Sequence, residues 1–85
     1  MGSEKNYFLV GTLYSKIAYI HSVTNEYENS ISEYEYALEN AILSNDEYLI
    51  ADIYLDFGTV YVDLMNYNRA IEYLNHSLVL TNNHN

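Results

Sequence analysis

The 85 residues allow one small domain with a marginal core, because a short chain leaves much of its surface in contact with water. The sequence has no cysteine, which excludes disulfides and cysteine-built metal sites, and no apolar run approaches the roughly 20 residues that span a bilayer. Its 12 acidic and 3 basic residues give a net charge of −9, which argues against a nucleic acid or a membrane as partner. The start, Met1-Gly2-Ser3-Glu4, lacks the features of a signal peptide, so we expect a cytoplasmic protein.

Four helices are predicted from the spacing of the apolar residues. They lie near residues 5–22, 26–43, 46–64 and 67–80. Two turns have the form of capping boxes, Asn25 with Glu28 and Ser44 with Glu47. Asn66 is a suitable N-cap for the last helix.

The third and fourth helices have the clearest amphipathic pattern. At about 100° per residue, one stripe of the third helix contains Ile50, Ile53, Tyr54, Phe57, Gly58, Tyr61, Leu64 and Met65. The stripe of the fourth contains Tyr67, Ala70, Ile71, Leu74, Ser77 and Leu78. Because Gly58 costs roughly 1 kcal/mol relative to alanine inside a helix, we expect a neighbouring helix to approach closely there.

The apolar pattern repeats with a period of 40 residues, which divides the chain into units at about 5–44 and 45–84. Subtracting this period from the third helix predicts the stripe of the first, which contains Val10, Leu13, Tyr14, Ile17, Ala18 and His21. Each unit is therefore a pair of helices, an A helix followed by a B helix, joined by a short turn.

The second unit resembles the tetratricopeptide repeat in its signature residues. Tyr54, Phe57-Gly58 and Tyr61, followed by Ala70 and Leu74, match the pattern aromatic-x2-Leu-Gly-x2-Tyr…Ala-x3-Phe, with leucine in place of the last aromatic residue and no closing proline. The period is closest to the long, roughly 40-residue variants of this family, since the commonest repeat has about 34 residues. The resemblance implies an all-α fold of two helix-turn-helix hairpins, four antiparallel helices stacked as a short α-solenoid.

No constellation for catalysis is visible in the sequence. There is no glycine-rich phosphate loop, no supported Ser-His-Asp set and no His-Glu-x-x-His motif. His21 lies on an apolar stripe and is expected to be a hydrogen-bonded core imidazole, while His76 and His84 are poorly placed for a metal. We therefore expect a protein that is not an enzyme and has no cofactor and no metal.

A row of acidic residues lies opposite the stripe of the third helix. In the tetratricopeptide family the A helices line a concave groove in which ligands bind, so the resemblance implies a partner-binding groove built from Thr12, Lys16, Tyr19, Asp52, Leu55, Asp56, Thr59 and Asp63. Phe8 and Tyr48 project nearby, and Lys16 is expected to form an ion pair with Asp56. The partner is a protein or peptide, expected to be basic. The alternative is an ordinary solvated helix face.

A second hypothesis is a self-assembling or structural repeat piece, either a homodimer or a fragment of a longer tetratricopeptide sensor array. The outward positions of the second helix include Glu33 and Asn40, and the equivalent positions of the fourth are Tyr73 and Leu80, with Val79 close by. An uncovered apolar strip marks an interaction surface, so these three residues predict a twofold self-association contact.

Overall fold

The computed structural model describes residues 5–82. These residues form four α-helices and no strand: α1 Tyr7–Val23, α2 Tyr27–Ser44, α3 Glu47–Asp63 and α4 Tyr67–Asn82. Each predicted helix end lies within two residues of the observed one. Helix α1 packs on α2, and α3 packs on α4, so the predicted all-α fold of two helical hairpins is confirmed.

The two hairpins pack through α3. This helix contacts both helices of the first hairpin, α2 more extensively than α1. Because short turns join consecutive helices, neighbours along the chain run antiparallel, and α1 and α3 run side by side in the same direction. None of the helices among residues 5–82 is long and apolar enough to cross a membrane.

The turns within the two hairpins have the same backbone structure. Asn25 and Met65, which are 40 residues apart, both have a left-handed backbone, with φ of 64° and 60°. In each turn the next amide donates back into the preceding helix, from Glu26 to the His21 carbonyl and from Asn66 to the Tyr61 carbonyl. These bonds form a Schellman motif, which satisfies carbonyls at a helix end.

Two of the three predicted caps are wrong. Asn25 lies in the left-handed turn and is not an N-cap, and Ser44 is the last residue of α2, where its hydroxyl donates to the Ala41 carbonyl. Asp46 is the N-cap of α3 and accepts a hydrogen bond from the Leu49 amide. The predicted cap at Asn66 is confirmed, since its side chain accepts from the Arg69 amide.

Small residues bring the helices of each hairpin into close contact. A Cβ atom on Gly11 would lie 3.1 Å from the Ala37 carbonyl oxygen, and one on Gly58 would lie 2.8 Å from the side chain of Leu74. The close approach predicted at Gly58 is therefore confirmed. Each hairpin also has a buried serine hydroxyl that donates across to the other helix, Ser30 to the Ala18 carbonyl and Ser77 to the Ala51 carbonyl.

Aromatic rings join the two hairpins. The fully buried ring of Phe57 stacks on Tyr34 of α2 and on Tyr61, with centroid distances of 5.5 and 5.4 Å, and meets Tyr73 of α4 edge-on at 4.7 Å. Tyr54 lies at the edge of this cluster, where it is half-buried beside Tyr73 and His76. Phe57 therefore holds the centre of the core.

The predicted stripe of α1 is only partly buried. Ala18 is fully buried and His21 is half-buried, but Leu13, Tyr14 and Ile17 are exposed. The reason is that α2 covers the side of α1 that contains Gly11 and Ala18, where Leu49 of α3 also approaches Gly11. No other described helix packs against α1.

Candidate functional site

Two neighbouring depressions follow the side of the protein where α1 and α3 lie next to each other. One has a volume of about 480 Å³ and the other of about 350 Å³. Asp56 lines both of them, so the two depressions adjoin at this residue, and together they are called the groove below. The larger is lined by Tyr19, Ser22, Val23, Asn25, Tyr27, Tyr34, Asp56, Thr59, Val60 and Asp63. The smaller is lined by Phe8, Thr12, Ser15, Lys16, Asp46, Tyr48, Leu49, Asp52, Ile53 and Asp56.

The structure brings most of the sequence-predicted groove residues together in these depressions. Those that line the groove are Thr12, Lys16, Tyr19, Asp52, Asp56, Thr59 and Asp63, with Phe8 and Tyr48 beside them. Leu55 is the exception, because it is exposed on α3 but does not line either depression. The sides of α1 and α3 that lie opposite their predicted apolar stripes therefore form one surface.

The groove is strongly acidic. Four carboxylates line it, those of Asp46, Asp52, Asp56 and Asp63, against the single ammonium group of Lys16. Asp46 also caps α3, so one of its oxygens is engaged by the Leu49 amide. Asp52 and Asp56 are separated by one helical turn, a spacing at which like charges repel each other.

Asp56 lies at the junction of the two depressions, and its carboxyl group has an altered pKa. Partial burial against the groove walls raises this pKa, and the negative charge of Asp52 raises it further, while Lys16 acts in the opposite direction. The neighbouring Tyr34 hydroxyl also has a raised pKa, because of burial first and the Asp56 charge second. The ionised form of Asp56 is thus held in an unfavourable environment.

The predicted ion pair between Lys16 and Asp56 is wrong. Among residues 5–82, the side-chain ion pair is instead between His21 and Glu33, and Lys16 influences Asp56 only over a longer distance. Lys16 is exposed and its flexible side chain remains in water, where a surface pair would contribute little. The carboxylate of Asp56 is therefore not neutralised by a direct contact within the described chain.

His21 is half-buried, and its Nδ1 lies 2.6 Å from a Glu33 carboxylate oxygen. This contact raises the pKa of His21. Both side chains lie between α1 and α2, away from the groove. His76 stacks on the Tyr54 ring, whereas His84 lies outside the described residues. No group of three or more His, Cys, Asp or Glu side chains suited to a metal ion occurs in the described part of the chain.

The predicted strip on α4 is largely wrong. Tyr73 packs in the aromatic cluster against Phe57 and Tyr61, and Leu80 is half-buried, so only Val79 is well exposed. The prediction assumed that Glu33 and Asn40 of α2 point outward, but Asn40 is 2% exposed and Glu33 pairs with His21. These positions face the A helix of their own hairpin.

Sequence reasoning missed two residues that shape the groove. Asp46 was missed because the prediction took Ser44 as the N-cap of α3. The spacing from Asp46 to Leu49 is nevertheless that of an N-cap. Tyr34 is 1% exposed and belongs to the core, yet it also lines the larger depression.

No protein-family model matches this sequence, and comparisons with curated proteins and with solved structures give no significant match. Its function is therefore inferred from its own residues and their arrangement.

Proposed function

We propose that this chain is a tetratricopeptide-like interaction module, without catalytic activity, that binds a basic peptide or partner helix in the groove between α1 and α3. The observation that carries the proposal is the uncompensated charge of this groove, four carboxylates against one ammonium. A ligand that brings positive side chains would remove the repulsion between Asp52 and Asp56.

The central position of Asp56 suggests how the peptide would be held. An arginine or lysine side chain entering the junction of the two depressions would lie close to Asp56, with Asp52 and Asp63 on either side along α3. A cation there favours the ionised carboxylate and so offsets the effects that raise its pKa. Because the groove is partly sheltered, such a contact is stronger than one on an open surface.

Apolar side chains complete the groove at both ends. Phe8 lies in the smaller depression and Tyr19 in the larger, and their side chains are 48% and 55% exposed. Covering them on binding would add a hydrophobic contribution of about 25 cal/mol per Å² of apolar surface. The preferred ligand is thus a segment in which basic residues alternate with apolar ones.

The test is a fluorescence anisotropy titration with a labelled peptide in which arginine and leucine alternate. We expect saturable binding that weakens as salt is added, and no binding of the corresponding glutamate–leucine peptide. Asp52→Asn combined with Asp56→Asn should weaken the affinity by about tenfold, because each partly exposed pair contributes at most about 1 kcal/mol.

The matched control is Glu39→Gln combined with Glu72→Gln, which changes the net charge equally on the exposed surfaces of α2 and α4. This variant should keep the original affinity. If the two double variants lose affinity equally, the peptide is attracted by the net charge of the protein and the groove is not its site.

A further inference from the structure

Helix α1 has an exposed apolar face whose counterpart in the second hairpin is buried. We define the α1 face as Leu9, Leu13, Ile17 and Ile20, with exposed fractions of 48, 51, 41 and 57%. The residues 40 positions later are Leu49, Ile53, Phe57 and Val60, with exposed fractions of 9, 1, 0 and 2%. The second set is buried because α3, besides packing on α4 as α1 packs on α2, also packs against the first hairpin, chiefly against α2. The α1 face is therefore as apolar as the surface with which α3 packs against the B helix α2.

Helix α4 has the matching surface. We define the α4 face as Tyr67, Ile71 and Leu78, which are 55–58% exposed. Their counterparts 40 positions earlier, Tyr27, Ile31 and Leu38, are half-buried and pack on the core that α2 and α3 share. The α4 face is thus the equivalent of the surface that α2 presents to α3.

Exposed apolar residues equivalent to both halves of the α2–α3 contact are consequently present on α1 and on α4. They do not meet within the chain, since α1 and α4 are not in contact. The centre of the existing contact is the Tyr34–Phe57 stack. At the equivalent positions, Ile17 is 41% exposed, and Leu74 is half-buried with one side against Gly58. An aliphatic pair can take the place of the two rings because hydrophobic burial is non-directional.

Charge along the groove fits the same arrangement. Lys16 and Asp56 occupy equivalent positions on α1 and α3, and in one chain Lys16 is near enough to lower the pKa of Asp56 in opposition to burial. A second molecule placed by the same 40-residue step would put its own Lys16 on the other side of Asp56. Lys16 and Asp56 would then alternate from one A helix to the next, which favours another copy of this chain over an unrelated apolar helix.

We propose that copies of this chain associate head to tail, with the α4 face of one copy packed on the α1 face of the next. The contact repeats the one between α2 and α3. It is heterologous, because it joins two different surfaces. Contacts of this type extend into open chains unless the rotation between subunits closes them into a ring. Association therefore increases with concentration and continues beyond the dimer.

The experiment is sedimentation velocity of the full chain over a concentration series, with one charged substitution on each face. Ile17→Glu blocks the α1 face and Ile71→Glu blocks the α4 face. Each should lower the association constant on the order of a hundredfold, because an unpaired carboxylate would be buried in the contact. A 1:1 mixture of the two variants should form a heterodimer and nothing larger, since it contains one intact pair of faces.

Leu43→Glu is the control, because Leu43 is an exposed aliphatic residue of α2 outside both faces. It should associate like the unmodified chain, and circular dichroism should show the same helicity in all variants. A dimer formed by Ile17→Glu alone would mean a twofold contact through α4 and would overturn the proposal. So would a chain that stays monomeric at millimolar concentration, or a mixture of the two variants without heterodimer.

Discussion

The ring of Phe57 on α3 stacks on the ring of Tyr34 on α2 with centroids 5.5 Å apart, and both side chains are almost completely buried. This pair lies where the two hairpins meet. Neither hairpin can bury its apolar stripe alone, so the stability of the whole chain depends on contacts of this kind between neighbouring units.

Phe57→Ala is expected to reduce the free energy of unfolding by about 3–5 kcal/mol, because it removes a ring that contacts three others. Urea denaturation followed by circular dichroism measures this change. Tyr54→Ala is the comparison, and it should cost less because Tyr54 is only half-buried. Equal losses for the two substitutions would contradict the central position of Phe57.

Gly58→Leu should destabilise the second hairpin by at least about 2 kcal/mol, since even a Cβ atom would lie 2.8 Å from the Leu74 side chain. Leu74→Ala removes the obstructing atoms and should recover part of the loss in the double variant. Thermal unfolding of the two single variants and the double variant gives the coupling between the sites. Strict additivity would show that the two residues do not interact.

Met65→Asn should stabilise the protein by about 0.5–1 kcal/mol. Met65 has φ of 60° and is 75% exposed, so its side chain gains little from packing, while a left-handed backbone is costly for residues other than glycine and asparagine. The equivalent turn residue of the first hairpin, Asn25, already has the favourable side chain. Met65→Leu keeps the strain and should leave the melting temperature nearly unchanged, so a gain in that variant as well would point to another cause.

Asp56→Asn should raise the melting temperature at pH 7. The folded-state pKa of Asp56 is raised above the ordinary value of about 3.9, so the folded protein binds more protons than the unfolded chain between these two pKa values. Stability associated with this group therefore falls as the pH rises through that window, and the ionised carboxylate remains unfavourable above it.

The advantage of Asp56→Asn should accordingly disappear when the pH is lowered below the unfolded-state pKa, where the carboxyl group is protonated in both states. Scanning calorimetry at several pH values measures the difference in melting temperature from the unmodified chain. Glu39→Gln, on the exposed side of α2, is the control and should change the melting temperature little at any pH. A constant difference for Asp56→Asn across the pH range would exclude titration as its cause.

The helices and most of the groove could be predicted because both depend on helical periodicity. Phe57 and Asp56 point about 100° apart on α3, and helical periodicity places the first on the buried side and the second on the exposed side. Periodicity does not reveal what covers an apolar side. For that reason the predicted stripe of α1 includes Leu13 and Ile17, although no described helix covers them.

The remaining errors arose where one residue type suits two environments. Asparagine serves both as an N-cap and in a left-handed turn, so Asn25 and Asn66 could not be distinguished by type. Asn40 is polar yet 2% exposed, with its side-chain nitrogen donating to the Tyr36 carbonyl. A polar residue at a helix contact is easily assigned to the surface, and for that reason Leu80, the equivalent residue of α4, was predicted to be exposed.

The groove between α1 and α3 is best tested by a nuclear magnetic resonance titration of the ¹⁵N-labelled chain with the arginine–leucine peptide. We predict that the largest amide shifts will occur at Thr12, Lys16, Tyr19, Asp52, Asp56 and Thr59, and that residues on the outer side of α4, such as Glu72, will shift little. Shifts concentrated on α4, or spread evenly over the surface, would contradict the assignment of the groove as the binding site.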